Sequence, residues 1–348
     1  MDFGGGDEIR FERRGRAGLV TLTRPKALNA LTRPMVVALS RALSAWERDP
    51  AVALVVVMAE GRAFCAGGDI RKVYEGGKAG APPIDFFADE YRLNAQIARF
   101  PKPYVSLVDG IVMGGGVGIS GHGSHRAYTE NAVFAMPEVT IGYFPDVGAS
   151  FLLSRLKGSF GMYLALTAAR IRAGDAVWAG LATHAVAASD LPGIVDALCE
   201  TGQPDRCLHN AAIGAERKVD EAAAFAIARL FSPGALSDLL VGLRRGAGSG
   251  EEVATAAVAA LERASPTSVA VAFRQINTGA MVEMDDCMRM EFRILNRMLA
   301  GHDFYEGVRA ALIEKGSVPH WRPARFEDLD DAAIEAYFAP LPGGDLVL

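Results

Sequence analysis

Metal-binding and disulfide signatures are missing from this chain. Its four cysteines, Cys65, Cys199, Cys207 and Cys287, form no C-x-x-C pair and no zinc-type spacing. A reduced setting fits such usage. The six histidines are scattered; His122 and His125 stand three apart, but no cysteine or acidic ligand set accompanies them, so no metal is expected. Basic runs are missing too. Formal net charge is -5 and no Lys/Arg cluster occurs, which argues against nucleic acid as the main partner. Small anionic ligands are still allowed, since they need only a local basic or amide-lined spot. No stretch reaches the ~18 uninterrupted apolar residues of a membrane helix. The opening "MDFGGGDEIRFERRG" lacks an apolar signal core and carries early acids, which transit segments avoid. The expectation is a soluble cytoplasmic protein of bacterial type.

What the chain does have is apolar residues, half of its 348. That length exceeds the usual single core and implies one large domain with an appendage, or two domains. "IRFERRG" and "LVTLTRP" read as two short strands around a turn at Gly15 to Gly18. "AVALVVVMAEG" and "YVSLVDG" are β-branched runs of the kind buried on both faces. Between "LVTLTRP" and the first of these runs, Met35, Leu39, Leu43 and Trp46 recur at helical spacing. Twice a buried strand runs into glycine and then into helix, which predicts an α/β architecture with largely parallel strands. From Phe151 the chain turns mostly helical, with a short strand at "HAVAAS". Composition shifts near residue 200. The boundaries expected are a core over 1–200 and a helical C-terminal region over 201–348, with a mobile, polar, helical insertion at about 200–260 and terminal helices over 265–348.

The glycine turns carry the chemistry. "CAGGD" and "MGGGVG" each open a helix, and a literal G-x-G-x-x-G falls at Gly116, Gly118 and Gly121. Amides at a helix start have no internal partner and face a positive dipole end. Glycine lets a ligand approach them closely. That serves a pyrophosphate as well as an oxyanion, and tight βα turns alone would also use glycine. A dinucleotide site is opposed by the long α/β segment before the motif and by Glu138, the acid about 20 residues on, which follows Pro137 rather than ending a smooth strand. Gly68 and Gly115 could instead each offer an N–H to one oxygen.

The stretches "RPKALNAL", "GRAFCAGGDI", "KPYVSLVDGIVMGGGVGIS" and "FAMPEVTIGYFPDVGASFLLSRLKG" together resemble the crotonase superfamily of enoyl-CoA hydratases and isomerases, in order from about Ile9 to Ser189. With "HDFYEGVRAALIEKGSVPHWRPA" the resemblance extends to the 3-hydroxyisobutyryl-CoA hydrolase branch. It implies a ββα spiral core and a two-amide oxyanion hole at Gly68 and Gly115 for a thioester carbonyl. CoA would lie along Lys26, Ala27, Leu28, Ala66, Asp69 and Ile70. Hydratases of the superfamily use two glutamates; the first of those positions is Gly118 here, and the second is Glu138. Asp146 stands where hydratases usually carry glycine and the hydrolase branch carries aspartate. Glu90 falls where that branch contacts substrate. The implied activity is hydrolysis of a short branched 3-hydroxyacyl-CoA, with Glu138 and Asp146 catalytic, Glu90, Gly115, Glu138 and Asp146 binding substrate, and no cofactor beyond the CoA of the substrate. A trimer-based homo-oligomer is implied as well.

The residues leave alternatives: an enoyl-CoA hydratase or isomerase, or a non-catalytic acyl-CoA-binding protein. By spacing alone Asp146 could be a loop acid or a cap for the helix near Phe151, Glu90 an exposed helix acid, and Lys26 an ordinary surface lysine. Cys65, one residue before the Ala-Gly-Gly turn, has no readable histidine partner. Ser150 lies in "VGAS", not a nucleophile elbow. The Met-rich helix from Met281 to Met298 reads as core or interface filler.

Overall fold

A computed structural model describes residues 1–232 and 234–348. Among them the strands are β1 (Ile9–Arg14), β2 (Ala17–Leu22), β3 (Leu54–Ala59), β4 (Ala63–Cys65), β5 (Tyr104–Val108), β6 (Ile111–Met113), β7 (His125–Thr129), β8 (Val133–Ala135) and β9 (His184–Val186). They form a six-stranded sheet in the order β1-β2-β3-β5-β7-β9 and a three-stranded sheet β4-β6-β8. Strands come in pairs along the chain, β3 with β4, β5 with β6, β7 with β8. The first of each pair joins the large sheet, the second the small one, and a helix or helical turn follows. This is the ββα spiral expected from the resemblance.

The large sheet is parallel except for the β1–β2 hairpin, whose register runs from Ile9↔Leu22 to Arg14↔Ala17. Gly15 turns the hairpin at φ +55, and a Cβ there would stand 2.2 Å from the Cys199 carbonyl oxygen. β3 is a parallel strand with Leu54 to Val57 fully buried, which explains its unbroken apolar run. Leu54 and Val56, with Val105, Leu107 and Ala127, share one cluster with Ile194, Leu198 and Leu208 of the helices Leu191–Thr201 and Pro204–Ala211. The helix Arg33–Arg48 is capped by Thr32, whose side chain accepts from the Met35 amide. It buries Met35, Leu39, Leu43 and Trp46.

Two compact units divide the chain. The first comprises Met1–Asp69, Asp85–Phe134 and Arg170–Lys218; the second comprises Ile70–Ile84, Ala135–Ala169 and Val219–Leu348. The units interleave, whereas the composition shift near residue 200 divides the chain serially; composition records local sequence, and these units are built from long-range contacts. Within the second unit the helix Pro266–Gly279 packs on the helices Ala149–Ser154 and Phe160–Thr167. The Ala/Gly-rich stretch, expected to be a mobile helical insertion, contributes the helices Glu221–Leu230, Leu236–Gly248 and Glu252–Leu261, which bury Ile227, Leu230, Leu239, Leu243, Ala257 and Leu261. One glycine of its "GAGSG" has a packing use: a Cβ on Gly246 would stand 2.8 Å from that of Ala254.

Trp46 fixes the outer part of the first unit. Its ring lies edge-on to Phe3 and Phe11, and a Cβ on Gly18 would reach within 2.6 Å of it. The Gly18→Ala variant is therefore overpacked, and its stability is expected to fall by ~1–3 kcal/mol. A thermal melt at or above the wild-type midpoint would contradict this packing.

Candidate active site

The glycine turns belong to the first unit. The chain leaves β4 through Ala66 and Gly67, the latter at φ +111, and leaves β6 through Gly114 at φ +48 into the helix Gly115–Gly121. A Cβ built on Gly115 would lie 3.4 Å from the Gly68 nitrogen, and one on Gly67 would lie 3.7 Å from the Gly115 nitrogen. The two turns therefore meet. Gly115 is the first residue of its helix, where the N–H has no intrahelical acceptor. Gly116 is required for a different reason: its Cβ would stand 2.2 Å from the Cys65 carbonyl oxygen. The literal G-x-G-x-x-G thus lies inside a buried helix rather than in a phosphate-binding turn, and the dinucleotide alternative loses its geometric basis.

Glu90 stands beside these amides. It lies on the helix Ile84–Ala98, is buried rather than exposed, and its Oε1 would be 2.5 Å from a Gly115 Cβ. One helical turn on, Asn94 is fully buried with neither amide atom hydrogen-bonded. Sequence reading passed over Asn94, although it shares the buried face with Glu90 and Tyr91.

The residues expected along CoA are placed as follows. Lys26 and Ala27 lie exposed in the 3-10 turn Pro25–Ala27, and Leu28 follows at φ +50. The Ala66 amide donates to the Leu28 carbonyl at 3.0 Å, and Leu31 donates to Gly67 at 2.8 Å, so this loop runs along the first glycine turn. Asn29 locks it, donating at 2.8 Å to both the Glu60 and Ala63 carbonyls. Asp69, half-buried, ends the first segment of this unit; Ile70 opens the helix Ile70–Lys78 of the second unit. Cys65 is a packing residue: burial pushes its thiol up to about 12.

The second unit holds the acid pair. Glu138 starts the 3-10 turn Glu138–Ile141, closed by Gly142 at φ +68. A Cβ on Gly142 would meet the Asp303 carbonyl at 2.1 Å, so glycine is needed twice over. Glu138 is 6% exposed and its Oε2 has no hydrogen-bond partner. Burial, then the charge of Asp146, push its carboxyl well above the ordinary value. Asp146 is 5% exposed and accepts a hydrogen bond from the Tyr143 hydroxyl at 3.1 Å. It does not cap the following helix, which begins at Ala149 with Gly148 as its N-cap.

Another buried acid, Glu291, escaped sequence reading. It accepts from the Gly148 amide at 2.7 Å and the Ser150 amide at 3.0 Å, and from the Ser150 hydroxyl. Burial pushes its carboxyl up to about 8, while these donors favour the charged form. The signal in the sequence was an acid inside the apolar stripe Met284, Met288, Ile294, Leu295 and Met298.

The raised Glu138 value links pH to stability. The folded chain keeps this proton where the unfolded chain has released it. The group's stabilising contribution is therefore full below the ordinary carboxylate range and is lost as pH rises through the raised value. Glu138→Gln cannot ionise, so its urea midpoint is expected to drop less than that of the wild type between about pH 5 and pH 8. Parallel pH slopes for the two proteins would count against a buried, proton-holding Glu138.

The enoyl-CoA hydratase/isomerase family profile matches residues 17–338. The mitochondrial 3-hydroxyisobutyryl-CoA hydrolase of Gallus gallus is 40% identical over 98% of this chain and 91% of its own length. Two solved structures share 38% identity: a carnitinyl-CoA dehydratase from Mycobacterium thermoresistibile, TM-score 0.91 over 97% of this chain and 98% of its own, and an enoyl-CoA hydratase from Rhodobacter sphaeroides 2.4.1, TM-score 0.90 over 98% and 100%. The mitochondrial relatives overturn the expected cytoplasmic location. The acids at the start of the chain bear on β1 and the turn before it, and say nothing of compartment. No helix among the described residues is long and apolar enough to cross a membrane. By fold, by the converging glycine turns and by similarity over nearly its whole length, the chain belongs to the enoyl-CoA hydratase/isomerase (crotonase) family and groups there with the 3-hydroxyisobutyryl-CoA hydrolases.

Proposed function

We propose that this protein hydrolyses 3-hydroxyisobutyryl-CoA to 3-hydroxyisobutyrate and CoA, a step of valine catabolism. The Glu138–Asp146 pair carries the reading: two buried acids, one with an oxygen left without a partner, in a chain whose other hydratase-type acid position is Gly118. The similarity to the Gallus gallus hydrolase supports it.

In this mechanism the Gly68 and Gly115 amides receive the thioester oxygen, where negative charge develops as the carbonyl is attacked. When water attacks, Glu138 takes its proton as the C–O bond forms, the C–S bond breaks and that proton passes to the CoA sulfur. When Glu138 attacks, the thiolate leaves a mixed anhydride, which water then cleaves to the free acid while supplying the proton for the thiol. Direct attack by the Glu138 carboxylate and activation of water by it both require Glu138 to be ionised. Asp146 and Glu90 orient the acyl group through its 3-hydroxyl. Lys26, Ala27, Leu28, Ala66, Asp69 and Ile70 flank CoA. The reaction is redox-neutral and calls for no cofactor. A trimer-based assembly through the C-terminal helices is part of the same reading.

Hydration of an enoyl-CoA is the second reading, favoured by the names of the two solved structures. Parallel assays separate them: free-thiol release from 3-hydroxyisobutyryl-CoA against loss of enoyl absorbance from crotonyl-CoA. Thiol release is expected to dominate, and hydration alone would refute the hydrolase. Glu138→Gln is expected to lower kcat by ~10²–10⁴. The acid limb of the wild-type pH–rate profile should lie above the ordinary carboxylate range, because Glu138 must lose its proton to act. Asp146→Asn removes one cause of the raised value, so the limb of its residual activity should move to lower pH; an unmoved limb would place the titrating group elsewhere.

A further inference from the structure

We propose that Glu291 is a positioning residue for Asp146, holding the 145–150 segment in the conformation that sets Asp146 against Tyr143 and near Glu138. The inference rests on the catalytic roles given above to Asp146 and Glu138. Two consecutive residues after Asp146 are left-handed, Val147 at φ +56 and Gly148 at φ +86. For the β-branched Val147 this conformation is strained and persists only where the surroundings over-determine it.

Glu291 and its neighbour Gln275 supply that over-determination. Glu291 Oε2 accepts from the Gly148 amide and Oε1 from the Ser150 amide, at 2.7 and 3.0 Å. These are the N-cap and second residue of the helix Ala149–Ser154, whose N-cap glycine has no side chain to do the same. Gln275 donates to the Pro145 carbonyl and, at 2.8 Å, to the Ser150 hydroxyl. The backbone is thus gripped on both sides of Asp146. Gly279 permits the close approach, since a Cβ there would stand 2.2 Å from the Ser150 carbonyl. Core packing alone does not call for this carboxylate. Glu291 is 0% exposed in an otherwise apolar stripe, where a charge is costly unless its hydrogen bonds are needed.

The test uses the full chain with Glu291→Gln, Asp146→Ala and the double variant, assayed by thiol release from 3-hydroxyisobutyryl-CoA beside the wild type. Glu291→Gln is expected to lower kcat about 10–100-fold with KM little changed, the scale of a small misplacement of a reacting group. In the Asp146→Ala background the same substitution should cost nothing further. A kcat within about twofold of wild type, or an equal loss in both backgrounds, overturns the proposal. Should Glu291→Gln fail to fold, Ser150→Ala, which deletes one donor, is judged in the same cycle by the same criteria. Amide hydrogen exchange supplies a readout independent of activity: Gly148 and Ser150 should exchange faster in the variant, and unchanged exchange overturns the positioning role. An inactive wild type would instead strike at the hydrolase reading, leaving exchange to decide the positioning.

Discussion

Two stretches of backbone approach closely at Gly68 and Gly115: a Cβ on Gly115 would stand 3.4 Å from the Gly68 nitrogen and 2.5 Å from the Glu90 carboxylate. Much of the first unit serves that approach. The small sheet β4-β6-β8 delivers both turns from neighbouring parallel strands. Gly116 lets the helix after β6 lie against Cys65, and the Leu28–Leu31 loop is hydrogen-bonded along the first turn. Main-chain amides held by a folded sheet need no reorganisation when charge appears beside them, which is why such donors are effective.

The second unit buries two glutamates to opposite ends. Glu291 is surrounded by donors and spends its hydrogen-bonding capacity on the chain itself. Glu138 keeps Oε2 without a partner and gains proton affinity from burial and from Asp146. A buried acceptor left open is a cost to the folded chain. In the proposed reaction this open oxygen is the one that acts on the substrate. Cys65 is buried as well, and there burial leaves an inert thiol.

Long, uniform signals were legible in the sequence. β3 and β5 announce themselves by β-branched runs, and the helix Arg33–Arg48 by its apolar spacing. The three-residue strands β4, β6 and β8 were not legible, being too short to show a period, and with them the second sheet was missed. Interleaving of the two units depends on contacts distant in sequence, so no local composition reports it. At the site, the glycine turns and the Pro-Glu and Pro-Asp acids could be found because they sit in motifs. Tyr143 and Glu291 could not, since their meaning lies in the partners that folding brings to them. Glu90 stood out only through the resemblance, since spacing alone left an exposed helix acid open; the fold buries it against Gly115.

A crystal structure of the full chain with a non-hydrolysable ketone analogue of the acyl-CoA tests the central claim most directly. The account predicts the analogue's carbonyl oxygen within ~2.7–3.1 Å of both the Gly68 and the Gly115 nitrogen. An oxygen bound to side chains elsewhere, with those two amides making no contact to it, would contradict it.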